Sequence, residues 1–451
     1  MKLKLALVDR FFRLNLGAMG LALWLGFGPL GLAAQSTLQE DLEKFLQSAT
    51  SENSPAAVVL LARDGQILAK SAGGMSHIED GIAASTETKF RIGSVSKQFT
   101  AMAILRLVEQ QQLALDDRLE KFFPEFPNAG EITLAQMMTH TSGLASYTEK
   151  VDFLLRVTRQ AEPETIIQWF QKDQPAFSPG EKFAYCNTGY FLLGEIVAKV
   201  SGVSLAEFLK REFFEPLGMN HTGIFDNAHP PEMMARGYET IDQETTPALD
   251  WNMNWAGGAG AMYSTVEDLF RWNEALYAGK VVSADLLKMA TTPVVLPEGA
   301  DGMSYGFGLM ISEHRRIPMI HHGGGLNGWS SELVFFPEQK STVVVLTNLS
   351  STKPAELRPQ VIALKFSDLM LAEEIKAIPP LVVDNSVSPD SFKDYLGKYD
   401  YQDSVMSISV TEKRIFAQLS DQPKFEIFPL AEDQFFWKEV EAQVFFQRNE
   451  T

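Results

Sequence analysis

A serine and a lysine three residues apart, Ser94 and Lys97, stand in the stretch Phe90-Arg91-Ile92-Gly93-Ser94-Val95-Ser96-Lys97-Gln98-Phe99-Thr100. Gly93 permits a tight turn, and from Phe99 through Ala101, Met102, Ala103, Ile104, Leu105, Leu107 and Val108 the chain is helix-forming and apolar. A helix apolar nearly all round belongs in the core of a large domain. Residues at i and i+3 share a helix face, so the first turn sets the Ser94 hydroxyl against the Lys97 cation. The helix start also favours developing negative charge. What a serine lacks as a nucleophile is stabilisation of its alkoxide, and this arrangement offers it. The pattern is weak alone, because Ser350-Ser351-Thr352-Lys353 repeats it. That copy follows the strand-like Val343-Val344-Val345-Leu346 and runs into Pro354, so it reads as a loop or helix cap.

Other matches fail on context. Gly323-x-Gly325-x-x-Gly328 fits the dinucleotide fingerprint, which must lead from strand into helix; here it leads into strands. Gly302-Met303-Ser304-Tyr305-Gly306 fits a nucleophile elbow but has neither strand before it nor helix after it. The 7 histidines contain no His-Glu-x-x-His, so no metal centre is expected. His140, beside Thr141-Ser142-Gly143, reads as a structural hydrogen-bonder, and His221-Thr222-Gly223 as a turn. The single cysteine, Cys186, reads as a small buried hydrophobe and leaves no internal disulfide or cysteine-cluster zinc site.

The elements that must hold Ser94 follow from pattern. A helix is predicted over 36–48, a hairpin of Ala57–Ala62 and Gln66–Ala69 around Asp64-Gly65, and a helical turn over 132–138. Phe177-Ser178-Pro179-Gly180 turns the chain toward Tyr185 and Asn187, after which Leu193, Ile196, Val197 and Val200 give a helix closed by Ser201-Gly202. Strands are predicted over 332–336 and 342–346 and a helix over 355–377. The 451 residues imply two domains, with 378–388 as linker and 389–451 as a small antiparallel β domain of sandwich or barrel type. At the N-terminus, Lys2, Lys4, Arg10 and Arg13 precede an uncharged run from Leu14 to Ala34, which reads as a signal peptide (1–34) or, alternatively, an uncleaved signal anchor. A cleaved leader implies an exported, periplasmic or secreted chain without a stable membrane span. The net charge of −18 argues against nucleic acid as a partner.

Ser94-x-x-Lys97, Tyr185-x-Asn187 and His322-Gly323-Gly324, in that order, resemble the three motifs of the serine β-lactamase and penicillin-binding-protein superfamily. The likeness is to the branch with class C β-lactamases, D-alanyl-D-alanine carboxypeptidases, D-aminopeptidases and esterases, and spans roughly residues 40 to 375. The tail is similar to a lipocalin-like domain. The resemblance implies an α+β fold, with an antiparallel sheet of N- and C-terminal strands flanked by helices and a helical region between, over 35–377. It implies a serine hydrolase that needs no cofactor and acts on a small-molecule or peptide substrate. Ser94 would form an acyl-enzyme, and Lys97⁺ would favour the phenolate of Tyr185 as general base. Asn187, His322, Gly324 and Gly325 would bind substrate, with N–H groups of Ser94 and Gly325 as oxyanion hole. Many relatives carry lysine at position 322; a histidine, only partly charged at neutral pH, points away from strong lactamase action. D-amino-acid peptides or esters of the envelope are the expected substrates, with a class C-like β-lactamase or a non-turnover binder as alternatives. The C-terminal domain is expected to serve packing, homo-oligomerisation or cover of the site.

Overall fold

The computed structural model describes residues 3–8, 32–241, 244–296, 304–350, 354–377, 381–401, 404–420, 423–438 and 443–448. It forms two compact units, Gly28–Ala372 and a second that joins Glu373–Thr451 to Met1–Phe27. The first is built on a six-stranded sheet in the order Met310–His314, Ile317–Leu326, Trp329–Phe336, Ser341–Thr347, Ala57–Arg63 and Gln66–Gly73. Every pairing is antiparallel, and the sheet joins the two ends of the unit where Val344 pairs with Leu60. This is the sheet of N- and C-terminal strands expected from the sequence. The Asp64-Gly65 turn of its first hairpin has φ of 51° and 74°, as a two-residue hairpin turn requires.

The central strands are apolar without alternation because both faces are covered. Val58, Leu60, Val344 and Leu346 pack into the core that holds the Ser96–Glu109 helix. Val59, Leu61, Val343 and Val345 point the other way and are equally buried. On that side the Leu32–Ala49 and Pro359–Met370 helices meet through an edge-on Phe45–Phe366 pair at 5.5 Å. The helix expected over 355–377 is instead a 3₁₀ turn at Ala355–Leu357 followed by Pro359–Met370 and Ala372–Ala377. Pro359 starts a helix afresh because it lacks the N–H that a continuing helix needs.

The middle of the unit is largely helical. Leu134–Met138 opens with a capping box between Thr133 and Gln136, and Asn187–Ser201 ends at Gly202 in the left-handed region, φ 74°. Short strands also form there, as Phe90–Arg91 pairs with Met262–Ser264.

In the second unit, Gly397–Tyr401, Ser404–Thr411, Arg414–Leu419, Phe425–Ala431, Gln434–Phe436 and Gln443–Arg448 pair with their sequence neighbours in one antiparallel meander. A single curled sheet of this kind fits the barrel reading rather than the sandwich. Its concave side holds Phe392, Tyr395, Tyr399, Ile408, Phe435 and Phe446. Leu3–Val8 adds a seventh strand against Gln443–Arg448. The rest of the expected leader up to residue 31 lies outside the described residues, as do 378–380 of the expected linker. Among the described residues no helix is long and apolar enough to cross a membrane.

One buried amide ties the sheet to the loops around it. Asn348 accepts from Ala56 N (2.6 Å) and donates to Arg236 O (2.8 Å) and Met75 O (3.1 Å). Truncation would orphan several backbone groups at once. Asn348→Ala is therefore expected to cost about 2–3 kcal/mol, measurable as a lower urea midpoint at unchanged m-value.

Candidate active site

Ser94 stands in a 3₁₀ turn, Gly93–Val95, between the buried Phe90–Arg91 strand and the Ser96–Glu109 helix. Gly93 is left-handed (φ 50°), and a Cβ on it would lie 2.8 Å from Gly325 N. The turn therefore rests on the Ile317–Leu326 strand, whose Gly324 has no room for a Cβ: one would sit 2.0 Å from Ile92 O. Ser331, on the next strand, donates to that carbonyl at 2.8 Å. A Cβ on Gly323 would meet Glu332 Oε2 at 2.8 Å, whereas one on Gly325 would meet nothing within 4 Å. Internal packing accounts for Gly323 and Gly324, and only Gly325 faces open space.

Lys97 is fully buried. Its Nζ lies 3.1 Å from Ser94 Oγ, 2.8 Å from Asn187 Oδ1 and 2.8 Å from Ala259 O. No ion pair involves it among the described residues. Burial without a counter-charge brings its pKa down to about 7. An unprotonated amine can donate its two hydrogens to Asn187 and Ala259 and turn its lone pair to the Ser94 hydroxyl. The amide orientation this needs is fixed elsewhere, since Asn187 Nδ2 donates to Thr148 Oγ1 (3.0 Å) and its backbone N to Ser146 Oγ (3.1 Å). Ala259 reaches Lys97 because Gly258, one residue earlier, has no side chain to hold it off Tyr190 O, 2.6 Å from its Cβ position.

Tyr185 closes the group, its ring centroid 4.9 Å from Lys97 Nζ. Its hydroxyl is buried and makes no well-formed hydrogen bond among the described residues. Burial raises its pKa, against a smaller downward pull from the Ser94 hydroxyl. The expected phenolate is thus corrected: Lys97 is itself half-neutral and lies against the ring, so Tyr185 is a phenol at neutral pH.

His322 is also corrected. Its ring is buried, Nδ1 donates to Gly323 O at 2.6 Å and Nε2 accepts from Tyr305 Oη at 2.8 Å. Burial, with Lys97 nearby, brings its pKa down to about 3, so it is uncharged and both nitrogens are occupied. It does not present a partial cation to a substrate carboxylate.

The discarded motifs lie where context placed them. Gly325 to Gly328 link two strands, Ile317–Leu326 and Trp329–Phe336. Ser304 is exposed in an irregular segment. Ser350 follows a strand, with 351–353 outside the described residues. Cys186 is buried, its thiol on Leu144 O at 3.2 Å. Tyr305, Ala259, Ser146 and Thr148 were not found from the sequence; Tyr305 was inside the rejected elbow, and the others carry no motif. Trp255 is core, and Trp251 donates to Asn327 at 3.1 Å. A cleft of about 380 Å³ opens instead beside Tyr185, walled by Leu144, Ala145 and Ala184 and rimmed by Lys150 and Asp173, paired at 2.5 Å.

The Beta-lactamase family matches residues 36–365. Penicillin-binding protein 4* of Bacillus subtilis (strain 168) is 29% identical over 413 residues, covering 87% of this chain and 90% of that protein. Among solved structures, the octameric penicillin-binding protein homologue from Pyrococcus abyssi is 24% identical with TM-score 0.65, covering 92% of this chain and 98% of its own. D-amino acid amidase from Ochrobactrum anthropi SV3, solved with L-phenylalanine amide, is 21% identical with TM-score 0.64 over 76% of this chain and 99% of its own.

Two measurements check the geometry. A lysine whose pKa falls from 10.5 to about 7 on folding binds fewer protons in the native state than in the unfolded one. Stability then rises with pH between those values, by about 1.4 kcal/mol per unit from this group alone. Lys97→Met should flatten that slope in urea titrations at pH 7 to 10, whatever its effect at one pH. Separately, Gly324→Ala should destabilise by about 1–3 kcal/mol or more through overpacking, while Gly325→Ala should leave the thermal midpoint within a degree or two.

Proposed function

Since this chain belongs to the Beta-lactamase family and is a serine hydrolase, we propose that Ser94 is its nucleophile and that it cleaves amides, peptides or esters through an acyl-enzyme. The observation that carries the reading is the buried Lys97, held by Asn187 and Ala259 with its nitrogen 3.1 Å from Ser94 Oγ and, among the described residues, no carboxylate to keep it charged. Ser94 Oγ attacks the carbonyl carbon as its proton passes to the Lys97 lone pair. The oxyanion is received by backbone N–H groups of Ser94 and Gly325, a reading supported by the Gly93 turn resting against Gly325 N. As the bond to the leaving nitrogen or oxygen breaks, that atom takes the Tyr185 phenol proton, and Lys97 returns one to Tyr185. In the second half-reaction water attacks the acyl carbon, its proton passes to the restored pair, and Ser94 Oγ leaves protonated.

The substrate class we propose is D-amino-acid amides, peptides or esters of envelope material, met by an exported enzyme. Support comes from the D-amino acid amidase likeness and from His322, which is neutral and turned away from solvent and so offers no charge for the carboxylate of a penicillin. The octameric state of the Pyrococcus abyssi homologue supports self-association.

The test is hydrolysis of D-alanine p-nitroanilide and p-nitrophenyl acetate, with intact mass followed after benzylpenicillin. Ser94→Ala should lose turnover by several orders of magnitude and form no adduct, while Ser304→Ala behaves as wild type. Retained hydrolysis in Ser94→Ala sinks the assignment. Benzylpenicillin cleared faster than the anilide is cut would move the substrate to β-lactams, and an adduct that persists without turnover of either chromogenic substrate would mean a binder.

A further inference from the structure

The turn from His140 to Gly143, after the Leu134–Met138 helix, takes no part in the proton transfers above, yet it grips the segment that carries Tyr185 at four points. Gly143 O accepts from Ala176 N at 2.8 Å, Thr141 O from Gly180 N at 2.7 Å and His140 O from Ala184 N at 3.0 Å. The fourth contact is a side chain: Cys186 N donates to Nδ1 of the His140 ring at 3.0 Å. The last two contacts flank Tyr185 on either side in the chain. The His140 ring also lies against the Tyr185 ring, with centroids 4.3 Å apart and planes tilted by 39°, and against Tyr305 at 4.6 Å.

Two features restrict what can stand at this position. The backbone of His140 is left-handed (φ 59°), a region that non-glycine residues other than Asn, Asp and His seldom enter. Because Nδ1 accepts, the ring proton sits on Nε2, which is buried without a partner among the described residues. An apolar ring would fill the space without that orphan, so the Nδ1 acceptor is what requires a reason. Burial, with Lys97 and His322 close by, holds the imidazole well below its usual range. It therefore stays neutral and keeps the lone pair that Cys186 N uses.

We propose that His140 is a positioning residue for Tyr185, its Nδ1 fixing the peptide that follows Tyr185 and its ring face fixing the phenol toward Ser94 and Lys97. The inference rests on the reading that Tyr185 transfers protons, and it adds a residue that acts only through Tyr185. Misplacing a reacting group by about 1 Å can cost on the order of a hundredfold in rate, so the effect belongs in kcat rather than KM.

The experiment is a double-mutant cycle on the full chain, with kcat and KM for D-alanine p-nitroanilide and p-nitrophenyl acetate and circular dichroism as a check on folding. His140→Phe keeps the ring and removes the acceptor; should it not fold, His140→Gly, which relaxes the backbone, replaces it. His140→Asn keeps an acceptor on a residue that tolerates the left-handed region. We expect His140→Phe to lower kcat about tenfold or more with KM within about twofold, His140→Asn to recover most of it, and His140→Phe to cost nothing further in a Tyr185→Phe background. A folded acceptor-free variant with wild-type kcat overturns the inference, as does failure of the asparagine rescue or a full additional loss in Tyr185→Phe. Wild-type kcat in Tyr185→Phe alone would sink the role given to Tyr185. That outcome would sink this inference too; should the wild type cut neither substrate, the same cycle is read on the rate of benzylpenicillin adduct formation, with the same outcomes for and against.

Discussion

A single amine taken out of water without a counter-ion governs this structure. Moving a charged ammonium into the interior is expensive, and a carboxylate alongside Lys97 would offset much of that. None is there. Neutral acceptors alone surround the nitrogen, a side-chain amide on the Asn187–Ser201 helix and a carbonyl from the Gly257–Gly260 turn. The result is a lysine whose pKa sits near neutral, which is what a base working beside a serine requires. An aspartate in place of Asn187 would offset the burial and return Lys97 to its charged form.

That arrangement makes demands on the rest of the unit. The acceptors must come from separate segments, so the helical region has to converge on the first turn of the Ser96–Glu109 helix. Ser146 and Thr148 aim Asn187, and Gly258 lets Ala259 come near. From the other side, the sheet reaches the same turn through Gly324, packed on Ile92 O. Sheet and helices therefore meet at one three-residue 3₁₀ turn, and the serine is its middle residue.

Beside Ser94 and Lys97 lies a layer of buried rings, His140, Tyr185, Tyr190, Tyr305 and His322. Burial drives every one of them toward its neutral form. A layer without net charge leaves Lys97 as the group of this cluster that titrates near neutral pH. It also explains why a histidine stands at position 322: its two nitrogens bridge Gly323 O and Tyr305 Oη, which one ammonium on a flexible stem does not reproduce.

The sequence by itself determined the order of elements and the identity of the grouped residues. Ser94 and Lys97 share a helical turn whatever surrounds them, and the apolar stretches at 57–62 and 342–346 were legible as strands because nothing polar interrupts them. Gly202 and the Asp64-Gly65 turn were legible for the same local reason, a backbone conformation that few residues accept. What only the tertiary structure decided is charge. The direction of the Tyr185 and His322 shifts, and the acceptors around Lys97, depend on how much water is excluded and on which backbone carbonyls arrive from distant segments. Desolvation is a property of the whole packed interior, so no spacing in the chain encodes it; Ala259 and Tyr305 joined the site through contacts that leave no motif.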